Sequence, residues 1–488
     1  MPSRVPPAPL PCPLVAALAA VLASLGANAV AATGFERISQ GDAARADDFL
    51  GRSVSTDGAR IAAGVPEHDA ASGTGTVGGA GAIAIFERVA GMWTRTALLT
   101  ASDAATADVL GECVALDGEL LIASAANVGL LTPAPWTGAA YVFERGPSGW
   151  AQRAKLVPPN PSEFMEAGLA SAIDAETRTA VVAARLDDDA ATDAGSVSVY
   201  REIGGSWTHA QELHAPDALP GDAFGYRVAI DGDVLAVSTP ATDALAESTG
   251  SVYVFERVKR GTGPFVFRAK LMAADAAYRD RFGSSLAVDG STIVVGAVGD
   301  DNLPPGGDQG AAYVFRRTAG AWTQTAKLVA GDRQPLDGLG ASVSVLEQTD
   351  GTLRVAVGAS SASQGAGAVY VFEGTAEALV EIAKYTAATG AANDGLGAST
   401  SLAGSLLVTG AERHDFPVTN AGAVYALSLA APCPADLDGN GAVGAADLSL
   451  VLLAWGSLGI GNPADLDGDG AVGASDLSRV LEAWGSCG

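Results

Sequence analysis

Short segments in which apolar and polar residues alternate, separated by turn residues, fill most of the chain between residues 50 and 430. Alternation with a period of two predicts β-strands, and no helical periodicity competes with it in this region. One segment shows the arrangement in full, with four predicted strands: Ser284–Val288, Ser291–Val295, Ala311–Arg317 and Trp322–Val329. Asp289-Gly290 joins the first two as a tight hairpin turn.

This four-strand unit recurs seven times. Each copy is marked by an apolar residue followed by Gly, at intervals of 57 to 60 residues: Leu50-Gly51, Leu110-Gly111, Ala167-Gly168, Phe224-Gly225, Phe282-Gly283, Leu339-Gly340 and Leu396-Gly397. An aromatic series keeps the same period: Trp93, Trp150, Trp207, Phe265 and Trp322. Four antiparallel strands per repeat, seven times over, predict a β-propeller. A β-solenoid is the alternative, but solenoid repeats are usually shorter.

The two ends of the repeat region complement each other. The seventh unit stops after its third strand, and a matching fourth strand lies ahead of the first unit, at Phe35–Ser39. We expect this N-terminal strand to complete the last blade, which removes an exposed sheet edge. The predicted fold is mainly β: a seven-bladed propeller of four-stranded blades over residues 32–431, followed by a small α-helical domain over residues 432–488.

Three segments of the fifth unit have counterparts in its neighbours: Phe282-Gly283, Val295-Gly296-Ala297 and Gly310-Ala311-Ala312-Tyr313-Val314-Phe315. Together they resemble the FG-GAP repeat of integrin alpha-chain propellers. The resemblance implies a seven-bladed propeller used for extracellular binding or adhesion. Many members of that family carry a calcium loop between the first two strands, whereas this chain has short turns there, such as Asp57-Gly58. One carboxylate cannot supply six to eight oxygen ligands, so we expect no calcium on the blades.

The loops after the second strands are long and variable, and we expect them to form a ligand-binding face. Five of them carry an aspartate at one equivalent position: Asp69, Asp188, Asp243, Asp301 and Asp415. These residues either form hydrogen bonds within their own loops, or together form an acidic rim that binds cations or a polyhydroxylated ligand. His68 and His414 precede two of them. They are either solvated surface residues or a pair able to bind a transition metal or do acid–base work.

Two Asp-rich loops of 12 residues follow the repeats, 29 residues apart. Positions 1, 3, 5, 7 and 12 of each supply oxygen ligands, and Gly occupies position 6. The predicted ligands for two calcium ions are Asp436, Asp438, Asn440, Ala442 and Asp447, then Asp465, Asp467, Asp469, Ala471 and Asp476. A short helix follows each loop. In the first helix Leu448, Val451, Leu452 and Trp455 are expected to share the buried face.

Loop, helix, linker and repeat resemble a type I dockerin domain. The resemblance implies calcium-dependent docking to a cohesin-like protein, often in extracellular polysaccharide-degrading assemblies. Loop positions 10 and 11, which commonly contact the partner in that family, are Ala445-Ala446 and Ala474-Ser475 here. A metal-locked terminal domain with its partner surface elsewhere on the helices is the alternative. Cys433 and Cys487 flank the two loops, and we expect a disulfide between them in an oxidising compartment.

The first 31 residues have the pattern of a secretory signal peptide, with an apolar run from Leu14 and a cleavage site at Ala29-Val30-Ala31. That run is shorter than the ~20 residues that a membrane span needs. We therefore expect a secreted or cell-surface protein with no transmembrane span. A formal net charge of −26 argues against nucleic acid as a partner.

The predicted function is a modular binding protein, with a glycan or protein ligand on the propeller and a cohesin-like or cell-surface partner at the C-terminal domain. No serine-hydrolase elbow, zinc-protease or phosphate-loop motif occurs in the sequence. A propeller glycoside hydrolase or lyase targeted by its dockerin is one alternative, because carboxylate pairs for glycoside cleavage need not be close in sequence. A structural surface component without a ligand is the other.

Overall fold

A computed structural model describes residues 36–39, 45–72, 75–129, 136–161, 165–241, 248–301, 307–388, 390–415, 417–429, 435, 437, 442–456, 462, 464–467 and 470–486. Its β-strands form seven antiparallel sheets of four strands each. Each sheet is one blade, and the blades are numbered 1 to 7 from the first apolar-Gly step. The predicted seven-bladed propeller is therefore confirmed.

Blade 1 comprises Val54–Thr56, Arg60–Val65, Ala82–Val89 and Met92–Leu99. Blade 2 comprises Val114–Asp117, Leu120–Ala125, Ala139–Gly146 and Gly149–Leu156. Blade 3 comprises Ala167–Asp174, Thr179–Ala184, Ser196–Ile203 and Ser206–Leu213. Blade 4 comprises Val228–Asp231, Val234–Thr239, Ser251–Arg257 and Phe265–Leu271. Blade 5 comprises Phe282–Asp289, Thr292–Ala297, Ala311–Thr318 and Ala321–Leu328. Blade 6 comprises Ser342–Glu347, Leu353–Ala359, Ala368–Thr375 and Ala378–Tyr385. Blade 7 comprises Ser399–Ala403, Leu406–Ala411, Ala423–Ser428 and Glu36–Ile38. A small hairpin, Ala70–Ser72 with Gly75–Val77, lies within blade 1.

The N-terminal strand closes the ring, as predicted. Glu36–Ile38 pairs antiparallel with Ala423–Ser428, with Arg37 opposite Tyr425. Ile38 is buried in the cluster shared by blades 7 and 1, beside Val54 and Val424. The outermost strand of the last blade is thus supplied by the chain segment that precedes the first blade.

Neighbouring blades are joined by backbone hydrogen bonds at the apolar-Gly steps. In all seven copies the apolar residue donates its N–H to a carbonyl just before the third strand of the preceding blade, as Leu50 does to Ala421, over 2.8–3.1 Å. The Gly that follows has a φ of 88° to 102° in every copy, a conformation in which Gly carries no steric penalty. The repeat motif therefore marks the points where blades contact each other.

A second glycine position is kept small by these contacts. Gly310 precedes the third strand of blade 5 and has a φ of +77°. A Cβ atom at this position would lie 2.1 Å from the carbonyl oxygen of Leu339, in the connection to blade 6. Side chains larger than hydrogen cannot fit without separating the two blades.

The hydrophobic core lies between adjacent blades. One cluster combines Val252 and Val254 of blade 4 with Ile293, Val295 and Tyr313 of blade 5. The second strands are buried at every described position in six of the seven blades, because each is covered by a blade on both sides.

Two short helices form most of the described C-terminal region, α1 at Ala445–Ala454 and α2 at Ala474–Glu482. They share a small core with the strand pair Ala442–Val443 and Gly485–Ser486, and Val451 and Val480 are fully buried in it. Part of the expected buried face of the first helix is wrong: Leu452 and Trp455 are 53% and 48% exposed. The covered stripe of the helix consists of Leu448, Val451 and Ala454, and the small core does not extend to Leu452 or Trp455.

Candidate functional site

Two sets of loops meet on one face of the propeller, called the upper face here. It contains the connections after the second strands and those after the fourth strands, since these are the loops that the apolar-Gly contacts join. The first strands of all seven blades surround an axial channel of about 710 Å³. Arg52, Glu112, Tyr226 and Glu412 lie at its upper mouth.

The predicted aspartates of the upper face form hydrogen bonds within their own loops. In each of the four described copies a carboxylate oxygen accepts a backbone N–H: Asp69 from Gly79, Asp188 from Asp193, Asp301 from Gly307 and Asp415 from Asn420, over 2.7–3.2 Å. Asp243 lies outside the described residues. The local bonds account for the recurrence of this residue, and an acidic rim that binds cations or sugars stays a prediction.

The two predicted histidines occupy equivalent, largely buried positions. His414 is hydrogen bonded through Nδ1 to Asp394, over 3.0 Å, and through Nε2 to Arg37, over 3.2 Å. His68 Nδ1 lies 3.7 Å from Asp48, the counterpart of Asp394. His414 is thus hydrogen bonded to the aspartate that precedes its blade, whereas His68 lies near its aspartate without a hydrogen bond through Nδ1. His414 is buried, so it is not the solvated loop residue that was one of the two predictions.

A second aspartate series was missed from the sequence, although it has a regular pattern. In six blades a buried aspartate stands two residues before the apolar-Gly step: Asp48, Asp108, Asp222, Asp280, Asp337 and Asp394. Each accepts the backbone N–H of the residue three positions earlier, over 2.6–2.9 Å. A search for Asp-x-apolar-Gly would have found all six.

Burial makes one of these carboxylates unusually easy to protonate. The pKa of Asp280 is raised to about 6, mainly by burial and further by the nearby carboxylate of Asp300. Asp300 itself accepts hydrogen bonds from the Tyr313 hydroxyl and from Lys327 Nζ. This concentration of carboxylates in blade 5 is paired internally with a lysine and a tyrosine.

In three blades, the same set of three side chains fixes the connection from the preceding blade to the blade that follows it. Asp275 accepts hydrogen bonds from the Tyr313 hydroxyl at 2.9 Å and from Lys327 at 2.7 Å. The lysine also lies over the tyrosine ring, 5.3 Å from its centre. Two other blades repeat the set: Asp217, Tyr253 and Lys270, and Asp332, Tyr370 and Lys384. These acidic side chains are therefore used to stabilise the fold.

A basin of about 1030 Å³ opens on the upper face above blade 6. Its lining includes Asp308, Leu336, Ser363, Gln364 and Asn393, which come from four different loops. The basin exists because blade 6 has a short loop: eight residues join its second and third strands, against 11 to 16 in the other blades. Sequence reasoning missed it, since its walls belong to blades 5 and 6 and to the connections around them.

Three carboxylates of the second C-terminal loop converge. Oxygens of Asp465, Asp467 and Asp476 all lie within 4.8 Å of one another. Oxygens bound to one calcium ion lie 2.3–2.6 Å from it, so a spacing of this size fits a shared coordination sphere. Asp476 is fully buried, and its carboxylate accepts N–H groups of Leu466, Asp467 and Gly473.

The first loop is described only in part. Asp447, its twelfth residue, is fully buried and accepts N–H groups of Leu437 and Gly444, each over 2.8 Å, as Asp476 does in the second loop. Ala442 lies in a short strand. Asp436, Asp438, Asn440, Asp469, Cys433 and Cys487 lie outside the described residues, as does the predicted signal peptide. Among the described cysteines, Cys113 is a free thiol beside the channel.

Comparison with known families agrees with this architecture. The FG-GAP repeat model matches six segments, together more than half of the chain: 93–143, 150–200, 207–255, 265–315, 322–372 and 379–427. The chain belongs to the FG-GAP repeat family. Each FG-GAP match begins on the fourth strand of one blade and ends on the third strand of the next, so the family's unit spans the contact between blades. No curated protein matches the chain. Within the described residues, no helix is long and apolar enough to cross a membrane.

Proposed function

We propose that this protein is a secreted or cell-surface binding protein, in which the upper face of the FG-GAP propeller holds a ligand and the C-terminal region attaches it to a partner. The observation that carries the proposal is that the upper face contains two kinds of residue, those that stabilise the fold and those that vary between blades. Residues that recur between blades are occupied in inter-blade contacts or in hydrogen bonds within their own loops, whereas the loops after the second strands differ in length and side chains. A rigid scaffold with variable loops is a common arrangement for binding.

The C-terminal region is proposed to bind two calcium ions and to dock a cohesin-like or cell-surface protein. Asp465, Asp467, Asp476 and the carbonyl of Ala471 supply hard oxygen ligands in the second loop, and Asp447 is the described carboxylate of the first. Calcium would offset the repulsion among these carboxylates and hold α1 against α2. Exposed Leu453, on the first helix, and exposed Trp455 and Trp484, just beyond the helix ends, offer an apolar contact surface that loop positions 10 and 11 do not.

Binding is favoured over catalysis because the buried carboxylates that the structure describes on the upper face are held by backbone, lysine, arginine, histidine or serine partners. The testing experiment exposes the immobilised full chain to arrays of glycans and extracellular proteins, and to the native secretome with and without calcium chelation. Ligand capture by the propeller without turnover supports the proposal. Release of products from polysaccharides would contradict binding without catalysis by the propeller. Capture of the same partners with and without calcium chelation would contradict calcium-dependent docking by the C-terminal region.

A further inference from the structure

We propose that the basin above blade 6 binds a neutral, polyhydroxylated ligand, that is, an uncharged saccharide. This inference rests on the proposed binding function of the upper face and names the site and the ligand class. The basin is bounded by Asp308 of blade 5, by Gln334, Pro335 and Leu336 of the connection to blade 6, and by the blade 6 loop.

Several polar side chains in this basin have no partner in the part of the chain that the structure describes. Among the described residues, the side chains of Asp308, Gln364 and Asn393 take part in no hydrogen bond or ion pair, and all three are exposed. Elsewhere on the upper face the recurring carboxylates are used in local bonds. A group of uncommitted amides and a carboxylate around one concave surface offers both donors and acceptors, which is what a sugar hydroxyl requires.

The blade 6 loop also contains more backbone strain than the described parts of the equivalent loops in the other blades. Ser363 and Gln364 are both left-handed, with φ of 54° and 64°. Other blades have single left-handed residues at the blade contacts, and this is the one consecutive pair of non-glycine residues with positive φ in the described chain. Each such residue costs about 1 kcal/mol or more. Both strained side chains line the basin, and strain of this kind concentrates at ligand sites.

Charge narrows the class of ligand. Asp332 is neutralised by Lys384, 2.7 Å away, and Asp337 is buried and accepts the N–H of Gln334. Asp308 is then the one exposed carboxylate in the described lining without a cation, which is too few oxygens for calcium. The protein's charge of −26 disfavours anionic ligands. Leu336, 65% exposed, Pro335 and the partly buried Val298 are the large apolar groups, enough for the C–H face of a sugar ring but not for an apolar ligand.

The test is isothermal titration of the full chain with cellohexaose, xylohexaose and mannohexaose, alongside trigalacturonate, a lysine-rich peptide and calcium chloride. At least one neutral hexasaccharide should bind, and Asp308→Ala and Gln364→Ala should each weaken it about tenfold or more. Asp193→Ala is the matched control, because Asp193 is the exposed positive-φ residue of blade 3 equivalent to Asp308. The control variant should bind like the parent protein and melt at the same temperature as Asp308→Ala.

Three results would overturn the inference: neutral saccharides bind both variants as well as the parent, only the charged probes bind at the basin, or no saccharide binds. A ligand found elsewhere on the upper face would leave the proposed function standing while refuting this site. If the glycan and protein arrays also yield no ligand, the proposed function fails as well.

Discussion

Arg52 of the first blade donates a hydrogen bond from Nη1 to Oε2 of Glu412 in the seventh blade, over 2.8 Å. Its Nε and Nη2 also bind Glu112 of the second blade, over 2.9 and 2.6 Å. Burial disfavours the charge on Arg52, but the two glutamates outweigh it and raise the pKa of the guanidinium. One side chain therefore links three blades across the place where the ring closes.

Replacing Arg52 by Ala should destabilise the protein by about 1–2 kcal/mol, because two half-buried carboxylates lose their shared cation. Chemical denaturation measures the change. Arg153→Ala is the control, since Arg153 pairs with Glu144 within blade 2 and is half exposed; it should cost less than about 0.5 kcal/mol. Equal losses in the two variants would show that the closure contact has no special weight.

The N-terminal strand should contribute through packing as well as through hydrogen bonds. Ile38 is 3% exposed, whereas Ile382 on the outer strand of blade 6 is 46% exposed. Ile38→Ala should lower the free energy of unfolding by about 2–3 kcal/mol, and Ile382→Ala by less than about 1 kcal/mol. Urea titration measures the free energy of unfolding of both variants. An unchanged value for Ile38→Ala would mean that the ring is stable without the packing of this strand.

The blade contacts make a sharp prediction about two glycines with similar backbone conformations. Gly310 and Gly320 have φ of +77° and +86°, but only at Gly310 would a Cβ meet another blade. Gly320→Ala should cost about 1 kcal/mol for the left-handed conformation alone. Gly310→Ala should cost at least about 3 kcal/mol or prevent folding, because the blades must separate. The melting temperatures of the Gly310→Ala and Gly320→Ala variants test this prediction, and similar values would argue against close contact between the blades.

Asp280 predicts a pH dependence of stability. Its folded pKa is raised to about 6, above the ~3.9 of an unfolded aspartate, so the folded protein binds this proton more tightly. The resulting stability is fully present below about pH 4 and is lost as the pH rises through about 6. Asp280→Asn should therefore gain up to about 2 kcal/mol over the parent at pH 7.5, and little at pH 4.5. Melting curves at both values test this, and a pH-independent difference would refute it.

The proposed metal loops predict two calcium sites in the full chain by titration calorimetry. Asp476→Asn should abolish one of them, because it removes a carboxylate from the converging group of Asp465, Asp467 and Asp476. Asp415→Asn, on the propeller, should leave both sites intact. Finding no calcium binding in the parent protein would remove the metal assignment altogether.

The repeated features of this protein could be predicted from sequence, and its exceptions could not. Strand order and the closing strand follow from the period and from the incomplete seventh unit, and the fifth blade's strands lie within two residues of their predicted bounds. The inter-blade contact of Gly310 depends on the neighbouring blade, which has no local signal. The Asp-x-apolar-Gly pattern gives the position of Asp280 but not its burial. The basin depends on a short loop between Ala359 and Ala368 beside longer loops in the other blades, so it is found only when the blades are placed side by side.

The helix face of the C-terminal region shows the same limit. Apolar residues at Leu448, Val451, Leu452 and Trp455 predict one buried stripe. Leu448 and Val451 do pack against the small core, but Leu452 and Trp455 are about half exposed. Periodicity indicates which side of a helix is apolar, but not how much partner surface is available to cover it.

The closing strand has a consequence for biosynthesis. The strand at Glu36–Ile38 is among the first parts of the propeller to be made, and its partner at Ala423–Ser428 is among the last. Blades 1 to 6 precede the last blade in the chain, so the ring stays open until almost the whole propeller has been synthesised. Throughout that period the early strand has an unsatisfied edge. A chain that is exported unfolded would complete its ring only after its last blade reaches the far side of the membrane.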